Sequence, residues 1–411
     1  MKLARLVILA AFAASGVGSA AHAQSLWNSE GLGGWNDGYD FAARAAGWTG
    51  IGRIDRYQMG SMNPAAPAWA PAAQAQLGIL VDNAWASTES AGDGGRAGST
   101  RLPGIAVAIP LRRGIGVNLG FRDLTVGSYA YSARINQGQE DEYLRRIEGS
   151  GGLGQFQMGV TARALQSRLG VGLQYGVVGG TVRDLIEDDF SSGDFQDTRN
   201  LLRTRMEGGR PVSFGLQARP VDPFEIGATY TAASSLDLRS LFENRTGNRE
   251  ESRARMDLPA SIGVGATVRA TPQWLVSADF TTRAWSEHAF ETIDSLGVAL
   301  GRDFAGLDDA RRFGVGFTRL PGEHTPKDPL FQRAVYRAGF THAVLPSRQS
   351  NGSEVKEWAL TAGIGLPVQV DRGYIDGLVE FGKRGDADTD LSETFLRLGF
   401  SVTFGKLEDA F

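Results

Sequence analysis

Phe395-Leu-Arg-Leu-Gly-Phe-Ser-Val-Thr-Phe404 divides cleanly between alternate positions. Leu396, Leu398, Phe400, Val402 and Phe404 are large and apolar, whereas Phe395, Arg397, Gly399, Ser401 and Thr403 are mostly small or polar. Side chains alternate across a strand with period two, so the stretch reads as a β-strand with one apolar face. A strand of a soluble sandwich shows the same alternation. About ten residues is, however, the length of a tilted strand that crosses a bilayer, and a terminal aromatic suits the membrane interface. Repetition of the pattern along the chain decides between the two.

The pattern does repeat. Trp358, Leu360, Ala362, Ile364 and Leu366 share one face, and so do Trp274, Val276, Ala278 and Phe280. Val212, Phe214, Leu216 and Ala218 form another such row. From Gln74 onward the sequence offers about fourteen strand candidates, an even number as bacterial single-chain barrels require. The third candidate reads as one uninterrupted strand, Ile115 to Ala133. Short joins (Leu111 to Gly114, Gln166 to Arg168, Pro220 to Pro223, Thr271 to Gln273) alternate with long polar ones. The long ones are Ala86 to Arg101, Arg134 to Gly152, Arg183 to Arg210, Ser234 to Leu258 and Ser286 to Arg311. Such alternation separates a periplasmic rim of turns from an external rim of loops. Leu320 to Phe331 is long where a short turn is due, and belongs on the periplasmic side if both chain ends are to face the periplasm. These features predict an all-β fold, a transmembrane antiparallel β-barrel whose apolar face meets lipid. On that assignment Ile364→Arg should hinder membrane assembly, and Thr361→Arg, facing the lumen, should be tolerated better.

The chain ends agree with export. Met1 to Ala23 carries Lys2 and Arg5, an apolar run and the small-residue site Ala21-His22-Ala23, which marks residues 1–23 as a signal peptide cleaved before Gln24. The remainder lacks an apolar stretch near the roughly 20 residues of a membrane helix. With 55 glycines, a mean hydropathy of −0.19 and no cysteine, the full chain suits an alternating barrel without disulfides or thiolate chemistry. A formal charge of −4 gives no sign of a nucleic-acid partner. The segment before Gln74 is rich in Gly, Ala and Trp, lacks sustained alternation and ends in an Asn-Pro turn signal, so it is placed outside the wall.

Catalytic signatures are missing. His288, His324 and His342 show no paired metal-binding spacing, and no nucleophile elbow, phosphate loop or calcium loop occurs. Gly-x-Gly pairs such as Gly263 to Gly265 fall on the small face of strands, where they leave room or ease curvature. The acidic runs Glu140-Asp141-Glu142 and Glu187-Asp188-Asp189 read as solvated loop faces. No enzyme activity, metal or cofactor is expected.

A signal, an N-terminal segment ending in Asn63-Pro64-Ala65 and about fourteen strands together resemble the FadL/TodX family of outer-membrane transporters for hydrophobic compounds. Leu258-Pro259-Ala260-Ser261-Ile262-Gly263-Val264-Gly265, followed by Trp274 to Trp285, is similar to that family's mid-barrel region. The resemblance implies a hatch or plug over 24–73, a barrel over 74–404 and a periplasmic tail over 405–411. It also implies ligand binding in the lumen, passive uptake by hatch rearrangement, and release through a wall opening made by an inward strand kink. Candidate hatch and ligand-lining residues are Trp35, Phe41, Trp48, Met59, Asn63 and Pro64, although the aromatic ones would serve equally to pack the plug. The expected partners are outer-membrane lipid and a hydrophobic small molecule. PorV-type relatives resemble the same barrel and act as secretion-associated scaffolds, which leaves a secreted or surface protein as the alternative partner. A water-filled porin is the weaker reading, because the N-terminal segment would fill so narrow a lumen.

Overall fold

In the computed structural model, the described residues are 25–29, 31–36, 38–87, 96–111, 114–191, 194–295, 307–325, 327–348, 352–368, 373–385 and 391–405. The signal peptide and nearly all of the expected periplasmic tail lie outside them. Fourteen antiparallel wall strands close into a barrel. They are β1 (Gln74–Ser87), β2 (Arg96–Arg101 and Gly104–Pro110), β3 (Ile115–Asp123, Thr125–Val126 and Tyr129–Ile135), β4 (Tyr143–Ala164) and β5 (Leu169–Phe190). Next come β6 (Thr198–Gly209 and Val212–Val221), β7 (Phe224–Thr231 and Ser234–Asn244), β8 (Arg249–Leu258 and Ser261–Arg269) and β9 (Trp274–Arg283 and Phe290–Ser295). The circuit ends with β10 (Ala310–Arg319), β11 (Val335–Arg348), β12 (Glu354–Pro367), β13 (Gly373–Arg384) and β14 (Ser392–Gly405). β14 pairs with β1 in continuous register from Gln74↔Gly405 to Ser87↔Ser392, so the wall has no free edge at the closure.

The alternation resolves as expected. Leu77, Ile79, Phe280, Leu360, Leu398 and Phe404 are exposed on the outer face, forming the apolar belt a bilayer requires. Their neighbours Gln76, Ser277, Asp279, Thr361, Ser401 and Thr403 are buried inside. The join from Leu320 leaves β10 at the rim that also carries the short turns, because β9, β10 and β11 are consecutive antiparallel strands.

Three of the expected long loops are instead mostly wall. β4 and β5 pair without interruption from Tyr143↔Phe190 to Ala164↔Leu169, and β7 pairs with β8 from Ser234↔Leu258 to Glu243↔Arg249. The stretches Arg134 to Gly152, Arg183 to Arg210 and Ser234 to Leu258 are therefore largely strand. Above the membrane the outer face meets water, so the hydrophobic alternation that marks a membrane strand weakens there. Cross-strand ion pairs take its place: Arg145–Asp188 at 2.7 Å, Arg146–Asp189 at 2.6 Å and Arg199–Glu187 at 3.0 Å. The acidic run Glu187-Asp188-Asp189 thus lies on strand, not loop. Inside this raised wall, Val182, Met206, Leu236, Leu238, Met256 and Trp285 form an apolar cluster that reaches Leu32 of the N-terminal segment.

The N-terminal segment threads the lumen. It contains a 3-10 turn at Leu26–Ser29, a two-residue strand Gly34–Trp35, helix α1 (Phe41–Ala45) and a second 3-10 turn at Ala66–Trp69. Asp40 caps α1, its carboxylate accepting the Ala43 amide at 2.9 Å. The helix is nearly all alanine and arginine behind Phe41, which favours helix and keeps it slim enough for the bore. Wall glycines provide the space: a Cβ on Gly314 would lie 2.0 Å from the Gly47 carbonyl, and one on Gly172 would lie 2.1 Å from the Pro64 carbonyl.

Candidate functional site

Wall side chains hold the hatch through its backbone. Asp279 on β9 accepts the Gly50 and Ile51 amides, each at 2.7 Å. Glu225 on β7 accepts the Ile54 amide at 2.9 Å. Thr361 on β12 accepts the Gly47 amide at 3.0 Å and donates to the Ala45 carbonyl at 2.9 Å. That last pair adds a cost to Thr361→Arg: the lumen beside Thr361 is occupied by the hatch, so a large cation there must displace it. Charge ties the same bodies together. Arg44 of α1 pairs with Glu380 at 3.0 Å, both almost fully buried, and Arg397 bonds Glu380 at 2.6 Å and Asp82 at 2.9 Å. Buried ions are held only when paired in this way.

The hatch separates two spaces. On the side of the raised wall lies a cavity of about 100 Å³ whose lining includes Trp27, Trp35, Trp48, Arg44, Arg101 and Arg397. At the rim of the short turns is a larger polar cavity of about 600 Å³, bordered by Arg53, Asp55, Tyr57, Trp69, Arg337 and Asp376. A third, of about 320 Å³, lies in the wall itself, between β2 and β3.

That wall cavity results from a break in β3. The strand pairs with β2 from Gly116↔Pro110 to Arg122↔Gly104, then turns inward at Leu124, which is only 3% exposed. Thr125–Val126 pair with Gly34–Trp35 of the hatch, and the Asn36 amide donates to the Leu124 carbonyl at 2.9 Å. Beyond the break Tyr129–Ile135 pair with β4, while Arg96–Arg101 pair with β1. Among the described residues no ladder joins those two upper segments. The wall therefore carries a seam at the upper edge of the apolar belt, where Leu102 and Phe121 are exposed. β3 is thus not the single strand expected over Ile115 to Ala133.

The six candidate residues separate into two groups. Trp35 and Trp48 line the outer cavity. Trp35 meets the Trp285 ring edge-on at 5.5 Å, with the Arg283 guanidinium 3.9 Å from its own ring centre. Trp48 lies between Arg44 and Arg312, at 4.4 Å and 4.5 Å. The other four line none of the three cavities. Phe41 packs on Leu80 and Leu378 of the wall, and Met59 on Tyr39, Ala106 and Ala108. Asn63 bonds the Ile51 and Leu216 carbonyls, and the Pro64 carbonyl is seated against Gly172. The sequence reading missed Arg44, Arg101, Glu380 and the break at Leu124. A signal existed for Glu380 and Arg397: charges on the small face of apolar-backed strands must point into the lumen.

The geometry has counterparts of known structure. The family model described as BamG matches residues 1–407. The toluene transporter TbuX of Ralstonia pickettii superposes with a TM-score of 0.60 at 15% identity, covering 90% of this chain and 98% of TbuX. A Pseudomonas aeruginosa FadL homologue gives 0.61 at 13% identity, covering 90% and 99%. The Pseudomonas putida toluene transporter TodX gives 0.55 at 14% identity, covering 91% and 100%. At these identities the likeness establishes a shared barrel fold. No curated protein sequence matches the chain.

Proposed function

The chain belongs to the BamG family, and from that premise and its wall seam we propose that it is an outer-membrane channel for the passive passage of hydrophobic small molecules. Cargo enters from the raised external side, passes the hatch residues Trp35 and Trp48, and leaves sideways between β2 and β3 into the bilayer. The observation that carries this reading is the inward break at Leu124 to Ser128: it joins a wall opening to the hatch by a backbone ladder, so movement of one moves the other. Solved transporters of the same fold carry toluene by their own descriptions, which supports an apolar cargo. The reading assigns the chain no catalytic step, cofactor or energy source.

The chain has no cysteine, so an engineered pair reports without background. Trp35 and Thr125 are register partners, at a spacing that a disulfide can bridge. Cells carrying Trp35→Cys/Thr125→Cys are expected to take up radiolabelled toluene at the rate of Trp35→Cys alone when reduced and several-fold more slowly when oxidised. Equal uptake in both states would remove the coupling of hatch and seam.

One observation favours a second reading, a scaffold for a secreted or surface protein. The raised wall of β4 to β8 is a stiff, ion-paired sheet, a better docking face than loose loops. Stoichiometric recovery of a protein with the barrel after cross-linking in its own membrane, undiminished by the oxidised cysteine pair, would favour the scaffold over the channel.

A further inference from the structure

The outer cavity is unusual in what its lining leaves unsatisfied. Seven arginines line it against a single carboxylate, Glu357; the other acids that pair with them, Asp82, Asp123, Glu354, Glu380 and Glu393, stand outside the lining. The pairs with those acids use only part of each guanidinium. Nε and Nη1 of Arg44 are buried and without hydrogen-bond partners, and so are Nε and Nη1 of Arg101 and Nε1 of Trp27. Asp123 lies 3.5 Å from Arg101 Nη1, balancing charge without forming a hydrogen bond. Among the described residues, every unpartnered buried polar atom of this lining is a donor.

A ring of donors selects an acceptor. Water both donates and accepts, so its own hydrogens would face more N–H groups; an oxyanion has no such conflict. A carboxylate offers two oxygens, whereas a phosphate monoester offers three on phosphorus and two charges, and guanidinium pairs with it strongly. The donors come from three separate elements, the Leu26–Ser29 turn, α1 and β2, and so surround the space in a way that suits a tetrahedral group. We propose that the outer cavity is a binding site for a phosphate monoester, held by Arg44, Arg101 and Trp27. Arg101 and Val126 also line the wall cavity, so the two spaces adjoin at the seam. A lipid in the outer leaflet can place its phosphate on Arg101 with its chains still in the bilayer, and a soluble phosphate ester can reach the same donors from the lumen. The site stands whether or not the seam passes cargo.

The test uses the full chain, delipidated in neutral detergent, titrated calorimetrically with glycerol 3-phosphate, with acetate as competitor. Wild type is expected to bind saturably, with affinity about tenfold weaker in Arg101→Gln and about threefold weaker in Trp27→Phe. Trp27→Phe keeps an aromatic ring and every charge of the site while removing the N–H together with the five-membered part of the indole, so it decides the matter if Arg101→Gln fails to assemble. In a second arm the chain is placed in phosphatidylcholine nanodiscs doped with phosphatidic acid and its phosphorus resonance is followed. Selective retention of phosphatidic acid that is lost in Arg101→Gln assigns the site to a lipid headgroup; glycerol 3-phosphate binding without such retention assigns it to a soluble ester. Equal phosphate affinity in wild type and both variants, or displacement by equimolar acetate, overturns the proposal.

Discussion

Asn63 illustrates how one side chain can fasten two bodies. Its amide is fully buried, Nδ2 donating to the Ile51 carbonyl at 2.9 Å and the Leu216 carbonyl at 3.0 Å, while Oδ1 accepts the Ala65 amide at 2.9 Å. The hatch, its exit turn and β6 meet at this residue. Asn63→Ala strips those bonds inside a dry space, where each stranded polar group costs about 1–3 kcal/mol. Hydrogen exchange at hatch amides is expected to accelerate at least about tenfold, with exchange in β11 to β14 unchanged. Unchanged hatch exchange would deny Asn63 its fastening role. The sequence showed Asn63-Pro64-Ala65 as a turn, because a turn is local. It could not show a tie to Leu216, since only the closed barrel brings that carbonyl beside the hatch. The same holds for Arg44, which reads as an ordinary helical arginine until Glu380 faces it across the lumen.

Strands were the most legible elements wherever lipid lies on one face and hatch on the other, as along Trp358 to Leu366, because two unlike surroundings impose period two. Legibility failed in the raised wall, where that contrast weakens, and at the break in β3, whose cause lies on a neighbouring strand. Gly151 and Gly152 of β4 adopt φ of +96° and +148°, a region that disfavours side chains. Around them Leu124 donates to the Leu153 carbonyl at 2.7 Å and Gly127 to the Gly151 carbonyl at 2.8 Å. A Cβ at Gly152 would lie 2.2 Å from the Thr125 carbonyl oxygen. Gly152→Val is therefore expected to expel the inward turn of β3 and free the Gly34–Trp35 bridge. The amides of Leu124 and Gly127 should lose protection while those of Gly104–Pro110 keep theirs. Retained protection at Leu124 would show that the break does not depend on the glycine. The run Gly149-Ser-Gly-Gly152 fell inside the stretch read as the long loop Arg134 to Gly152, so neither its place in β4 nor the strand that bends against it was legible.

At the scale of the molecule, if wall and hatch are distinct bodies, substitutions injure either one alone. Ile364 faces lipid on β12, and Arg there costs about 2–4 kcal/mol near the midplane, so the folded, heat-modifiable barrel should form poorly. Thr361→Arg points the other way, into Ala45 and Gly47. It should leave the wall assembled and expose the hatch to added protease. If both variants lose the assembled barrel to the same degree, the wall is not independent of its plug. Removal of residues 24–61 carries that independence furthest. The β1–β14 ladder starts at Gln74 and closes without any residue of the hatch, while Gly314, Gly316 and Gly339 would be left facing an empty bore. Glu380 keeps Arg397 when Arg44 is gone, so the deletion strands no isolated charge there. The wild-type chain, plugged by backbone-to-wall hydrogen bonds at Asp279, Glu225 and Thr361, is expected to stay electrically silent in a planar bilayer. The deletion variant should conduct as a steady, water-filled pore, since the vacated lumen is lined by Gln, Ser, Thr and paired ions. A silent deletion variant with an intact wall would mean that the raised sheet or the inner ion pairs, and not the hatch, form the barrier.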